Sequence, residues 1–162
     1  MPQNDSRSSP DHTARQAPFA DSAAIVFGSG RNIGRAVVRE FARRGARVAV
    51  ADLDFAAAEE TAAMIRQGGG EAVALAVDVA SEQSVRAAAD AAERALGPID
   101  IVMNNAGILS GGNPEDIPLS AWQQTMDVNF FGMVRSILVF LPRMLERGSG
   151  YIVNTASFAG MY

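Results

Sequence analysis

Ala23-Ala24-Ile25-Val26-Phe27-Gly28-Ser29-Gly30-Arg31-Asn32-Ile33-Gly34 is the stretch that decides the fold. Five apolar residues run straight into a glycine turn, and helix-period residues Ile33, Val37, Val38 and Phe41 follow. Gly28 and Gly30 are expected to take up a tight, positive-φ turn, and Gly34 lets the helix pack closely on the strand. Backbone N–H groups at such a helix start face a bound pyrophosphate, and the helix dipole favours its charge. A bare Gly-x-Gly pattern is weak evidence. The strand–turn–helix context strengthens it, as does Asp52 at the end of the next apolar run.

Working outward, Val48–Ala51, Ala72–Val77, Ile99–Met103 and Tyr151–Asn154 are further strand-length runs, apolar on both faces. A parallel strand covered by helices on both sides requires that continuity. Between them lie helical segments at about 32–44, 55–67, 82–96 and 119–146, the last opening at Ser120 as an expected N-cap. Gly45, Gly68–Gly70, Gly97-Pro98 and Gly148–Gly150 punctuate the helix ends. Five strands joined by four crossover helices predict an α/β fold with a doubly wound parallel sheet, Rossmann-like, which binds nucleotides at its switch point. Residues 1–20 mix Pro, Ser, Asp, Asn and Arg and are expected to form a disordered tail before a domain at 21–162. The tail has no apolar targeting core.

Composition excludes several chemistries. The 162 residues include no cysteine, one histidine (His12) and no lysine, every basic side chain being arginine. Cys/His zinc ligation, a cysteine nucleophile, Schiff-base chemistry and a phosphate-loop lysine are therefore out, and a Ser-His-Asp triad would need His12. Disulfides are impossible, which fits a cytoplasmic location. A net charge of −4 recommends neither nucleic acid nor an anionic membrane as partner. The most apolar stretch, Phe130–Leu141, is short for a span and is interrupted by Arg135.

The turn spacing, G-x-G-x-x-x-G, is one residue longer than the usual dinucleotide fingerprint. It resembles the T-G-x-x-x-G-x-G of the short-chain dehydrogenase/reductase family. Gly28 and Gly34 match, Phe27 stands where Thr is usual, and Asn32 replaces the middle Gly. Asn tolerates left-handed backbone, so the turn survives the exchange. Three further segments carry the resemblance. Asn104-Asn105-Ala106-Gly107 reproduces the family's N-N-A-G, Asn129 falls at its helical Asn, and Gly150–Gly160 is similar to its G-x-I-V-N-x-S-S-x-A-G.

The resemblance implies a cofactor set of Gly28, Ser29, Gly30, Arg31, Asn32, Ile33, Gly34, Asp52, Leu53, Asp78, Val79, Asn105, Ala106 and Gly107. Asp52 would accept the ribose hydroxyls of NAD and repel a 2′-phosphate, whereas Arg31 lies where NADP-preferring members often carry Arg. NAD is favoured over NADP, because an exposed Arg can swing away. An Arg31–Asp52 surface pair is the plain alternative. Asp78 is expected near adenine or in the N-cap region of the next helix. Asn129, costly to bury without a partner, should hydrogen-bond something specific or mark a helix bend. As catalytic residues the resemblance implies Asn129, holding a water, and Ser157, hydrogen-bonding the substrate oxygen.

The reaction implied is hydride transfer between nicotinamide and a secondary alcohol or ketone. The family's Tyr-x-x-x-Lys proton donor is not found here, since Tyr162 stands too close to Ser157 and no lysine exists. The expectation is a sheet truncated after its fifth strand, with oxidoreductase function when complete. The alternatives are a non-catalytic dinucleotide-binding fragment and a methyltransferase with a similar loop, against which N-N-A-G argues. No metal site is expected. A homo-oligomer through the helix at 119–146 is a further expectation.

Overall fold

A computed structural model describes residues 17–157. The elements are β1 (Ala23–Phe27), α1 (Asn32–Arg43), β2 (Arg47–Asp52), α2 (Phe55–Gln67), β3 (Ala72–Ala76), α3 (Glu82–Leu96), β4 (Ile101–Asn104), α4 (Leu119–Met126), α5 (Gly132–Arg147) and β5 (Tyr151–Asn154). All strand pairs are parallel, in the order β3-β2-β1-β4-β5. The order reverses between β1 and β4, which is the switch point of a doubly wound sheet.

Every residue of β1 is buried, which explains its unbroken apolarity. Alternate side chains feed two cores. Ile25 and Phe27 pack with Val85, Leu96, Val139 and Phe140 from α3 and α5. Ala24 and Val26 pack with Val38, Ala62 and Ile65 from α1 and α2. The Phe27 and Phe140 rings meet edge-on at 6.3 Å, tying the last residue before the turn to α5.

Several boundaries differ from the sequence reading. Ile99 is buried but lies outside β4. The chain enters that strand through Asp100, whose amide donates to the Ala23 carbonyl while its carboxylate accepts from the Ala23 amide at 2.9 Å. Ser120 is not the cap of the fourth helix. Pro118 holds that position with no side-chain bond, its ring presetting φ at −65°. The helix is continuous through a π turn at Asp127–Phe131. At its other end the chain is ordered earlier than expected. Phe19 stacks edge-on against Phe41 at 5.4 Å and its amide donates to the Arg44 carbonyl, so residues 17–20 belong to the packed body. The expected tail over residues 1–16 lies outside the described residues.

Leu119–Arg147 is long and apolar enough, by length and composition alone, to cross a membrane. Here its inner face, with Val139, Phe140 and Met144, is a wall of the core. Its outer face leaves Trp122, Met126, Phe130, Leu138 and Leu145 exposed, beside the edge strand β5.

Phe140→Ala is expected to cost about 3–5 kcal/mol in urea unfolding. Leu138→Ala, on the open face, should stay within about 0.5 kcal/mol of the parent. Equal effects at the two positions would contradict the assignment of inner and outer faces.

Candidate dinucleotide site

The turn after β1 is shaped by packing as much as by backbone freedom. Gly28 is left-handed at φ 73°, and a Cβ there would come within 2.6 Å of the Ala106 Cα. Gly34 is helical, and a Cβ on it would collide with the Gly28 carbonyl oxygen. Gly30 does not take the positive φ expected of it. Its glycine is required by space, because a Cβ would meet Asp52 Oδ2 and Ala57 Cβ at 2.9 Å. The left-handed residue is Asn32, at φ 49°, so the exchange of Asn for Gly leaves the turn intact.

Both backbone polar groups of Gly30 are committed. Its N–H donates to Asp52 Oδ2 at 2.7 Å, and its carbonyl accepts from Thr61 Oγ1 and Arg35 Nε, each at 2.9 Å. Ser29 is fully buried, its hydroxyl donating to the Val26 carbonyl at 2.6 Å and accepting from the Ala51 amide at 3.1 Å. It therefore staples β1 to β2 from beneath the cleft. At the start of α1 Arg31 makes no side-chain cap, and no acidic residue occupies the first turn. That N-terminus is open to an anion.

Beyond β2, Asp52 Oδ1 accepts from the Asp54 amide at 3.0 Å. Asp54 caps α2 through the Ala57 amide at 3.1 Å. That amide first, and the Arg31 charge after it, hold the Asp54 carboxyl below the usual carboxylate range. Arg31 is bonded to Asp54 and not to Asp52, which corrects the pairing considered from sequence. Past β3, Asp78 Oδ1 accepts from the Ala80 amide at 2.9 Å, while Ser81 is the cap of α3.

At the end of β4 two asparagines divide the work. Asn104 is buried; its Nδ2 donates to Asn154 Oδ1 at 2.7 Å and its Oδ1 accepts from Ser136 Oγ at 2.6 Å. Asn105 Nδ2 donates to the Gly28 carbonyl at 3.0 Å, bridging the switch point. Asn129 lies in the π turn, so it marks a helix irregularity and also bonds something specific. Its Oδ1 accepts from the Ile108 amide and its Nδ2 donates to the Ile108 carbonyl, both at 2.8 Å.

These groups surround a cleft of about 780 Å³ at the carboxyl ends of the strands, within the usual range for ligand sites. Gly28, Arg31, Asn32, Ile33, Asp52, Leu53, Asp78, Val79, Asn105, Ala106 and Gly107 line it. Ser29, Gly30 and Gly34 support it from below. Asn129 and Ser157 do not line it; Ser157 is exposed, three residues past β5. Phe158 to Tyr162, including the remainder of the strand-five motif, lie outside the described residues. Asp54, Gln124, Val128 and Thr155 also line the cleft and were not anticipated. Asp54 was legible as an acidic cap before Phe55-Ala56-Ala57, whereas Gln124 and Val128 are brought there only by tertiary folding. Among the described residues no cluster of His, Cys, Asp or Glu suits a metal ion.

The chain is similar to known proteins over nearly all of its described length. Residues 22–162 match the family described as short chain dehydrogenase. D-threitol dehydrogenase of Mycolicibacterium smegmatis is 40% identical over 136 residues, covering 84% of this chain and 52% of that protein. Probable oxidoreductase EphD of Mycobacterium tuberculosis is 39% identical over 142 residues, covering 87% of this chain and 24% of that protein. A solved 7 alpha-hydroxysteroid dehydrogenase, complexed with NADH and 7-oxo glycochenodeoxycholic acid, superposes with a TM-score of 0.85 at 34% identity, over 91% of this chain and 57% of that one. This chain thus spans about half the length of most of these relatives.

Gly34→Ala is expected to overpack the turn and lower stability by about 1–3 kcal/mol. Gly111→Ala, where a Cβ meets nothing within 4 Å, should be near neutral. An unchanged urea midpoint for Gly34→Ala would show that the turn relaxes freely.

Proposed function

We propose, from the premise that this chain belongs to the short chain dehydrogenase family, that its residues form the dinucleotide-holding part of an NAD-linked oxidoreductase acting on a secondary alcohol or ketone. The observation that carries the reading is the open α1 N-terminus and the Asp52 carboxylate facing one cleft. The group fits the residues present, because the first turn of α1 has no side-chain cap and no acidic residue, and Arg31, Asn32 and Ile33 line the same cleft as Asp52.

The amides at the start of α1 would hold the pyrophosphate, and Asp52 the adenosine ribose. Each Asp52 oxygen already accepts one backbone N–H, yet a carboxylate has about four acceptor sites, so sites remain for the hydroxyls. Its charge would repel a 2′-phosphate, and the Arg31 charge that would attract one is engaged by Asp54. These two features support NAD over NADP. Asp78, Val79 and Leu53 would border adenine, and Ala106 and Gly107 would give the nicotinamide ribose close approach. Nicotinamide, when bound, supplies or accepts the hydride.

Ser157 would hydrogen-bond the substrate oxygen. Asn129 already holds Ile108 by one donor and one acceptor, and a second N–H and a second lone pair of its side-chain amide are left to hold a water. Neither Ser nor Asn titrates near neutrality, and these 162 residues contain no lysine. A proton donor of the Tyr–Lys kind is therefore not assembled by this sequence. The apolar stripe on α4 and α5 supports self-association through this helix, and a cysteine-free chain fits a cytoplasmic enzyme.

Calorimetric titration should find NAD⁺ bound about tenfold or more tighter than NADP⁺, and Asp52→Asn should narrow the gap by removing close charge repulsion. Tighter NADP⁺ binding by the parent would reverse the preference. Incubated with NAD⁺ and secondary alcohols, the 162-residue chain is expected to form no NADH detectable by near-ultraviolet absorbance. Turnover matching a full-length relative would refute the missing proton donor.

A further inference from the structure

We propose that Arg135 is a positioning residue: by gripping Asp127 and the Val79 carbonyl, it holds the π turn through which Asn129 fixes the loop after β4. The guanidinium reaches back two helical turns, in the direction in which long helical side chains lean. Its Nη1 donates to the Asp127 carbonyl at 3.0 Å and to the Val79 carbonyl at 3.4 Å. Its Nη2 donates to Asp127 Oδ1 at 2.9 Å. The charge also lies 5.9 Å from the Phe131 ring, at the far end of the turn.

A π turn departs from the i→i−4 ladder and persists where other groups stabilise it. Asp127 and Phe131 are the first and last residues of this one, and Arg135 contacts both. An exposed Arg–Asp pair alone would contribute little. Here the Arg135 side chain is 22% exposed and two of its acceptors are main-chain carbonyls, so its geometry is tied to the backbone.

The arrangement joins the two sides of the cleft. Val79 lines the cleft beyond β3 and packs over Gly132, where a Cβ would come within 3.0 Å of Val79 Cγ2. Asn129 holds both polar backbone atoms of Ile108, beyond β4. One planar fork addresses the Val79 segment and the start of the π turn at once, which the point charge of a lysine does less completely. The positional role rests on this geometry alone. Only its bearing on turnover rests on the proposed function.

The test is hydrogen exchange and side-chain amide NMR on the 162-residue chain. In Arg135→Met, exchange at the Ile108 amide should rise roughly tenfold, as losing a charge-assisted hydrogen bond predicts, while Ile25 and Val26 in β1 keep their parent rates. The Asn129 side-chain amide signals should move, and Arg135→Lys should give an intermediate rate, which carries the comparison if the Met variant does not fold. In an Asn129→Ala background, Arg135→Met should add nothing at Ile108. Unchanged Ile108 exchange and Asn129 signals would overturn the proposal, as would an equal rise at Ile25, Val26 and Ile108. Failure of NAD⁺ to bind would count against the proposed function and leave the Ile108 result standing.

Discussion

The hydrogen bond from the Gly30 amide to Asp52 Oδ2 is the constraint on which the cleft depends. It joins the turn after β1 to the end of β2, and Thr61 and Arg35 hold the carbonyl of the same residue. With both peptides flanking Gly30 committed, the turn keeps its shape without a ligand, and less ordering remains to oppose binding. The same bond places negative charge at one end of the cleft while the open α1 terminus offers partial positive charge at its middle. The small residue at position 30 follows from this contact, since any side chain would push Asp52 and Ala57 apart from the turn.

Asparagines extend that logic across the rest of the sheet. Asn104 connects β4 to β5 and, through Ser136, to α5; Asn105 reaches back to Gly28; Asn129 secures Ile108. Each has both a donor and an acceptor, so one side chain can tie its own element to a second segment. Among the described residues no buried side-chain nitrogen or oxygen lacks a partner. In a low-dielectric setting such satisfied networks hold a single arrangement, because removing one member strands the others.

The legible parts of the sequence are those with local causes. Apolar continuity marked β1 and β5, and helix propensity with flanking glycines marked α2 and α3, at the bounds the structure has. Ile99 shows the limit, because burial looks like a strand in sequence although the hydrogen-bonded ladder begins two residues later. Ser120 looked like a cap, but Pro118 sets the helix entry. The π turn has no propensity signature, since its cause lies in tertiary contacts such as those of Arg135. Within the site, the glycine turn and Asn-Asn-Ala-Gly were visible as motifs. The Arg31–Asp54 pair was not, because Asp52 and Asp54 flank Leu53 at the end of β2 and only geometry decides which one the guanidinium meets.

The long helix shows why a cleft can be well formed although an apolar face remains open. Residues apolar around a whole helix ordinarily imply burial all round. Here the inner face alone bears on the site: Phe140 packs on Phe27, Ser136 bonds Asn104, and Gly132 makes room for Val79. Leu138, Leu145 and Trp122, on the outer face, are exposed and do not line the cleft. Gly28, Asp52 and Asn105 are positioned by hydrogen bonds made around the turn after β1, none of which involves that outer face. The shape of the cleft therefore follows from contacts among Gly28, Asp52, Asn104, Asn105, Ser136 and Phe140.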